Sequence, residues 1–203
     1  MPQPRQGGGG DGSGVCGVLL AAGAGRRAGG PKALRTDPDG TSWLVRSIAV
    51  LRDGGCSSVV VVLGCAADAA RDVIAGSVYA GDRQVSVVEA ADWGDGMGVS
   101  LRAGLAVVQS GPWRAALVHL VDLPDVTAPV VSRLIEQAPT DPEALARVTF
   151  EGRPGHPVLI GASHVPAVMG GLTADRGAQD YLVRLGATGV ECGDLATGED
   201  RDQ

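Results

Sequence analysis

The sequence predicts a three-layer α/β sandwich, with helices on both faces of a mostly parallel sheet. Three observations carry that reading. Short apolar runs alternate with amphipathic stretches through the first two thirds of the chain. The runs are nearly continuous in Val, Leu and Ala, as in strands covered on both faces. The stretches between them mostly end on glycine, a common helix stop.

In chain order, residues 1–14 ("MPQPRQGGGGDGSG") bury nothing and are expected to form a flexible tail, leaving 15–203 as a single domain. "VCGVLLAA" (Val15 to Ala22) is the first strand. "TSWLVRSIAVLRDGG" is a helix capped by Thr41 or Ser42 and stopped at Gly54-Gly55. "SSVVVVLG" and "QVSVVEA" are strands flanking the helix "AADAARDVIAG", and "GMGVSLRAGLAVVQSG" is the next helix. "RAALVHLVD" is the fourth strand. "TAPVVSRLIEQAP" puts Val130, Val131, Leu134 and Ile135 on one helical face, with Pro129 in its first turn. Beyond it, "EALARVTFEG" and "GHPVLIG" read as antiparallel or mixed strands around a Gly/Pro turn. "DRGAQDYLVRLG" is a short helix and "TGVEC" a last strand.

The 203 residues carry 17 basic and 23 acidic side chains, a net charge of −6. That balance argues against a nucleic-acid or membrane-surface binder, both of which need a basic surplus. No apolar run approaches the roughly 20 residues of a bilayer span, and the N-terminus has no secretory core. Cys16, Cys56, Cys65 and Cys192 are scattered without metal-site spacing, as expected of thiols in a reducing compartment. A cytoplasmic protein is the expectation.

The first strand runs into "LLAAGAGRRAGGPKAL". "GAGRRA" formally fits a dinucleotide fingerprint, but Gly29, Gly30 and Pro31 prolong the loop where a helix should begin. The acidic residue expected after the second strand is also missing, since that strand ends "VVLGCA". An ATPase phosphate loop fails as well: Pro31 stands at its lysine position, and no Ser or Thr follows Lys32. A glycine turn with solvated arginines explains the glycines, but not three cations on one loop of an acidic chain. What remains is a loop wrapped around a triphosphate. Glycines admit the phosphate oxygens to the backbone, and Arg and Lys neutralise charge on a leaving pyrophosphate.

The loop resembles the "LAAGxGxRxGxxK" signature of the MobA-like nucleotidyltransferases, most closely their molybdenum cofactor cytidylyltransferase branch. Leu20, Ala21, Ala22, Gly23, Gly25, Arg27, Gly29 and Lys32 match it, and "ADWGDGMGVSLRAGL", "LVHLVDLPDVT", "RPGHPVLIG" and "DRGA" extend the match. The resemblance implies a Rossmann-like fold of the nucleotide-diphospho-sugar transferase type. It implies Arg27, Lys32 and Asp122 as the catalytic set, with Leu20 to Gly23, Gly25, Arg27, Lys32, Gly96 and Ser100 on the nucleotide. Asp122 would hold Mg2+, with Mn2+ as an alternative; a turn-forming Asp is the plainer reading of the same residue. Ser100 is either a base or ribose contact or an ordinary helix residue. His156 and Arg176 would hold the acceptor, although His156 could be structural and Asp175 could cap the following helix. His119 reads as a satisfied core side chain and His164 as surface, while Asp125 reads as a turn or cap residue.

One departure stands out. The family's "DIDTPED" is "GDLATGED" here, with Ala196 at the metal-binding aspartate, so Asp194 is the candidate second ligand, or Glu199 or Asp200 caps a vestigial helix. The implied activity is transfer of CMP from CTP to the terminal phosphate of a pterin cofactor, and the resemblance admits a molybdoenzyme or maturation factor as a partner. "LAAG" is the cytidylyl-like form of the loop; the guanylyl branch usually reads "LAGG". Another phosphorylated acceptor, GTP as donor, and a non-catalytic nucleotide or cofactor carrier remain alternatives.

Overall fold

Val15–Leu20 forms β1, with every side chain buried, and the pattern of the whole fold grows from it. The computed structural model describes residues 14–25, 29–138, 141–174 and 177–200. The expected tail therefore lies, apart from Gly14, outside the described residues, as do Arg27 and Arg176 of the expected site.

After a 3-10 turn at Lys32–Leu34 come α1 (Trp43–Asp53), β2 (Ser58–Leu63), α2 (Ala67–Ala75), β3 (Val85–Glu89) and α3 (Met97–Ser110). Then follow β4 (Ala115–Leu120), α4 (Ala128–Gln137), β5 (Leu145–Phe150) and β6 (Arg153–Gly161). The chain continues through α5 (Val165–Gly171), α6 (Gln179–Arg184) and β7 (Thr188–Glu191). The strands form one mixed sheet in the order β3-β2-β1-β4-β6-β5-β7. The first four are mutually parallel, β6 is antiparallel to both β4 and β5, and β7 is parallel to β5.

Each face of the sheet carries its own core. Leu19, Val61 and Leu117 meet Leu44, Ile48, Leu51 and Leu134 of α1 and α4. Val18, Val60 and Val118 meet Leu101, Leu105, Val168 and Leu182 of α3, α5 and α6. Leu44, Ile48 and Leu51 recur at helical spacing, so α1 lays one stripe on the sheet, and each such buried side chain is worth about 1.5–3 kcal/mol. Ser42 caps that helix by accepting from the Val45 N–H at 3.4 Å.

Three details depart from the sequence reading. β3 is an edge strand whose Ser86 and Val87 are exposed, so its apolar run is not covered on both faces. The β5–β6 turn falls at Glu151-Gly152, both with positive φ, and Pro154 lies inside β6 rather than in the turn. The helix α5, in "VPAVMGG", was not expected: seven residues with two glycines give a weak periodic signal, and packing on α3 supplies what propensity lacks.

Candidate active site

The parallel pairing of β1 and β4 sets Leu20 beside Leu120, and the Val121 N–H donates to the Leu20 carbonyl at 3.2 Å. The loops that leave these two strands therefore start side by side at one sheet edge, where α/β folds collect ligands. From β1, Ala21 N–H donates to the Val62 carbonyl at 3.0 Å, and the Ala22 carbonyl accepts from Cys65 N–H at 2.9 Å. These bonds fix the start of the loop. Gly25 then turns with φ +56°, and its carbonyl accepts from the Gly30 N–H at 3.1 Å. A Cβ at Gly25 would stand 2.0 Å from the Gly30 carbonyl oxygen, so no side chain fits this closure.

The loop borders a cavity of about 500 Å3. Leu20 to Gly23 and Gly25 line one wall, and Lys32 and Asp122 another. Gly96, Met97 and Ser100, at the start of α3, line the third together with Trp93. The structure thus brings together every described residue expected on the nucleotide. Gly96 enters the helix at φ +131°, where a Cβ would lie 2.0 Å from the Ala174 carbonyl oxygen. Ser100 is 5% exposed, a buried hydroxyl at the cavity wall.

Lys32 pairs with Asp122 at the cavity wall, with Nζ 2.5 Å from Oδ2. Their side chains are 18% and 15% exposed, so the pair is mostly shielded from water. An ammonium and a carboxylate at the edge of a glycine-rich loop supply the charges that a triphosphate and its counter-ion require.

A second cavity of about 240 Å3 adjoins the first and shares Leu20 and Met97 with it. His156 lines it, inside β6 rather than between a turn and a strand. Burial pushes the His156 imidazole down to about 4, the nearby Arg147 pushes the same way, and Asp122 opposes both. Arg147, which sequence reasoning missed, lines this cavity too. The available signal was a lone charge within the apolar run of β5, at a position that faces inward.

Asp194 is not brought to either cavity. Arg133 grips it in a bidentate pair, Nη1 to Oδ1 at 2.5 Å and Nη2 to Oδ2 at 2.9 Å, and that contact holds its carboxyl below the usual carboxylate range. With both oxygens committed to Arg133 of α4, Asp194 does not line the cavity that Asp122 borders. Asp125 instead organises the C-terminal segment, accepting from Thr197 N–H and Oγ1 at 2.6 Å each and from Gly198 N–H at 3.1 Å. His119 is fully buried but not satisfied, since neither ring nitrogen has a partner, and burial drives it down to about 3. His164 is not a free surface group: Nδ1 lies 2.9 Å from the Tyr181 hydroxyl and Nε2 3.0 Å from the Glu143 carbonyl oxygen. Among the described residues no three His, Cys, Asp or Glu side chains converge on a metal position, and no helix is long and apolar enough to cross a membrane.

A glycine-rich loop, a lysine–aspartate pair and a helix start around one cavity at the ends of parallel strands define a nucleotidyltransferase-type enzyme. The MobA-like NTP transferase domain matches residues 17–188, and the chain belongs to that family. It is 37% identical to nicotine blue oxidoreductase of Paenarthrobacter nicotinovorans over 201 residues, 93% of this chain and 92% of the relative. The crystal structure of Rv0371c from Mycobacterium tuberculosis superposes with a TM-score of 0.70 at 24% identity, covering 89% of this chain and 87% of that one. A structure of Rv0371c in complex with manganese gives 0.66 at 23% identity, over 93% and 94% of the two chains. A nucleotidyl transferase from Methanothermobacter gives 0.71 at 18% identity, covering 89% and 88%.

Proposed function

We propose that the protein transfers CMP from CTP to the terminal phosphate of a pterin-type cofactor and releases pyrophosphate. One observation carries the reading: Lys32 and Asp122 meet at the wall of a cavity that the glycine loop and the first turn of α3 also line. The triphosphate lies along Gly23 and Gly25, with Lys32 turning from Asp122 to the β- and γ-phosphates. Arg27 joins it from the family match alone. Ser100 contacts the ribose or base, and the preference for cytosine rests on the "LAAG" form of the loop.

The residues fit a hard divalent ion, Mg2+ or Mn2+, because Asp122 offers a carboxylate at the cavity wall. Such an ion, when bound, polarises the phosphates and neutralises charge on the leaving pyrophosphate. Asp122 would hold it, and because no three such side chains converge among the described residues, triphosphate oxygens and water would supply most of the remaining ligands. This reading leaves Asp194 to Arg133.

An oxygen of the acceptor phosphate attacks the α-phosphorus, the bond to the bridging oxygen breaks, and pyrophosphate leaves with that electron pair. The second pKa of a phosphate monoester is about 6, so the nucleophile is already anionic near neutral pH and needs no general base. His156, held neutral at about 4, is a weak base and serves to position the acceptor. Catalysis then comes from alignment and charge neutralisation.

The test is pyrophosphate release with magnesium, each NTP and a panel of phosphorylated acceptors. Release with CTP and a phosphorylated pterin is expected. Release with another acceptor, or with GTP, moves the assignment within the family. Tight CTP binding without release under any condition identifies a carrier. A second reading comes from the relative whose name is an oxidoreductase of nicotine blue. Change in nicotine blue absorbance with a reduced nicotinamide nucleotide would favour it. Against it, the chain after Gly25 enters only a 3-10 turn at Lys32–Leu34 before α1 begins at Trp43, so no α-helix N-terminus among the described residues directly follows this loop to receive a dinucleotide pyrophosphate.

A further inference from the structure

Arg147 is 9% exposed, and the groups around it do not account for a buried cation. Its Nη1 donates to Gln179 Oε1 at 2.8 Å and its Nη2 to the Gly155 carbonyl at 3.5 Å, while Nε is buried with no partner. These are neutral acceptors; among the described residues no carboxylate pairs with it. A guanidinium withdrawn from water without an anion is costly, and a protein retains one where an anion arrives from outside. Arg147 lines the second cavity, whose other walls include Leu101, Val118, Val158 and Leu182.

We propose that Arg147 recognises an anionic oxygen on the acceptor, separate from the phosphate that reacts, in a mostly apolar pocket. This rests on the second cavity being the acceptor site of the transferase reading. Register supplies the separation. Arg147 pairs with Val158, Val158 pairs with Val118, and Asp122 lies four residues beyond Val118. Two strand spacings and four residue rises put the two Cα atoms roughly 16 Å apart. The side chain covers part of that distance, since Nη2 donates to the Gly155 carbonyl on the Asp122 side of His156. The fork still lines the second cavity and Asp122 the first, so the two groups serve different parts of a bound acceptor. His156 lies on β6 two residues from Val158 toward the edge where Asp122 sits and lines the second cavity beside the fork. The acceptor class is therefore a ring system that carries the reacting phosphate and, apart from it, a carboxylate or an oxygen ionised to the same charge.

Fluorescence titration with pterin-6-carboxylate and the neutral 6-hydroxymethylpterin tests this without CTP or turnover. The parent protein is expected to bind the carboxylate roughly tenfold to a hundredfold more tightly, as for a charge-assisted fork. Arg147→Gln should erase that preference with the melting temperature as a check on folding, and Arg147→Lys should recover part of it. Should Arg147→Gln not fold, Arg147→Lys alone decides, since loss of the fork lowers the preference and a merely structural cation leaves it unchanged. Equal affinities for the two probes, no binding of either, or a preference that survives Arg147→Gln overturns the proposal. So does inorganic phosphate that competes with the carboxylate at similar affinity, which would assign Arg147 to the reacting group. If the transferase reading fails instead, no acceptor elicits pyrophosphate, yet the carboxylate preference and its loss in Arg147→Gln persist.

Discussion

Asp122→Asn separates the two tasks assigned to the lysine–aspartate pair, and its effect on nucleotide binding should change sign with the metal. Without ligand, Lys32 and Asp122 neutralise each other at 2.5 Å. A free triphosphate must draw Lys32 away, so the pair competes with it. Solvent-exposed ion pairs contribute at most about 1 kcal/mol, and breaking a buried one costs about 3–5 kcal/mol. At 18% and 15% side-chain exposure this pair falls between those limits, at about 2 kcal/mol. Removing the carboxylate charge ends that competition for Lys32, so metal-free CTP should bind Asp122→Asn more tightly than the parent, by up to about thirtyfold. With magnesium the variant lacks its ion ligand, and the advantage should disappear or reverse. Turnover should fall at least about a hundredfold, the scale of losing one group that stabilises transition-state charge.

Calorimetric titration of a CTP analogue with a methylene between the α- and β-phosphorus, in EDTA and again in magnesium, reads both effects without chemistry. Equal weakening in the two conditions would show that Asp122 does not restrain Lys32, and the exchange mechanism would fail. Near-parent pyrophosphate release would remove Asp122 from the metal role altogether.

Lys32→Ala should weaken CTP binding in magnesium with little effect on the acceptor KM; unchanged nucleotide affinity counts against its phosphate role. Gly25→Ala, whose new Cβ would meet the Gly30 carbonyl oxygen at 2.0 Å, should open the loop and cost at least about tenfold in CTP affinity; an unaffected titration shows that the loop closure does not shape the phosphate site. His156→Asn should raise the acceptor KM and leave the pH–rate profile from pH 6 to 9 unchanged in shape, because an imidazole at about 4 is neutral throughout that range; a lost limb would make it the proton acceptor. His119→Leu removes two unpartnered buried nitrogens and should stabilise the fold by about 1–2 kcal/mol, or roughly 2–8 °C in melting temperature. The parent's folded His119 sits at about 3 against an ordinary 6.5, so the unfolded chain binds the proton first. That contribution is present above about 6.5 and is lost as pH falls toward 3, so the advantage of His119→Leu should widen over that span. A variant no more stable at pH 7, or parallel pH curves, contradicts this account.

The opening loop was legible because its chemistry is local. Gly25 must turn with positive φ, Gly29-Gly30-Pro31 prolongs the loop, and Lys32 follows within the same dozen residues. Asp122 was legible for a different reason: an apolar strand delivers its next polar residue to a sheet edge, and β1 and β4 are neighbours in register. Asp194 was misplaced because alignment to a motif fixes position along the chain but not the nearest cation. Arg133, 61 residues earlier, takes both its oxygens. His164 was read as surface for the same reason, since Tyr181 and Glu143 reach it from other segments.

The second cavity was illegible because no local pattern encodes it. Its walls come from β1, β4, β5, β6, α3 and α6, and β5 joins them because β6 inserts between β4 and β5. Within that arrangement a single alternation rule decides what Arg147 does. Ala146 and Val148 face the core under α1 and α4, so the residue between them must face the other side, under α6. A one-residue slip of β5 would turn the guanidinium into the larger core, where nothing accepts from it. The register that keeps β5 beside β6 is thus the same feature that aims a cation into the pocket, and stability and acceptor recognition are coupled at that strand. Substitutions that loosen the β5–β6 pairing should therefore lower the carboxylate preference before they unfold the protein.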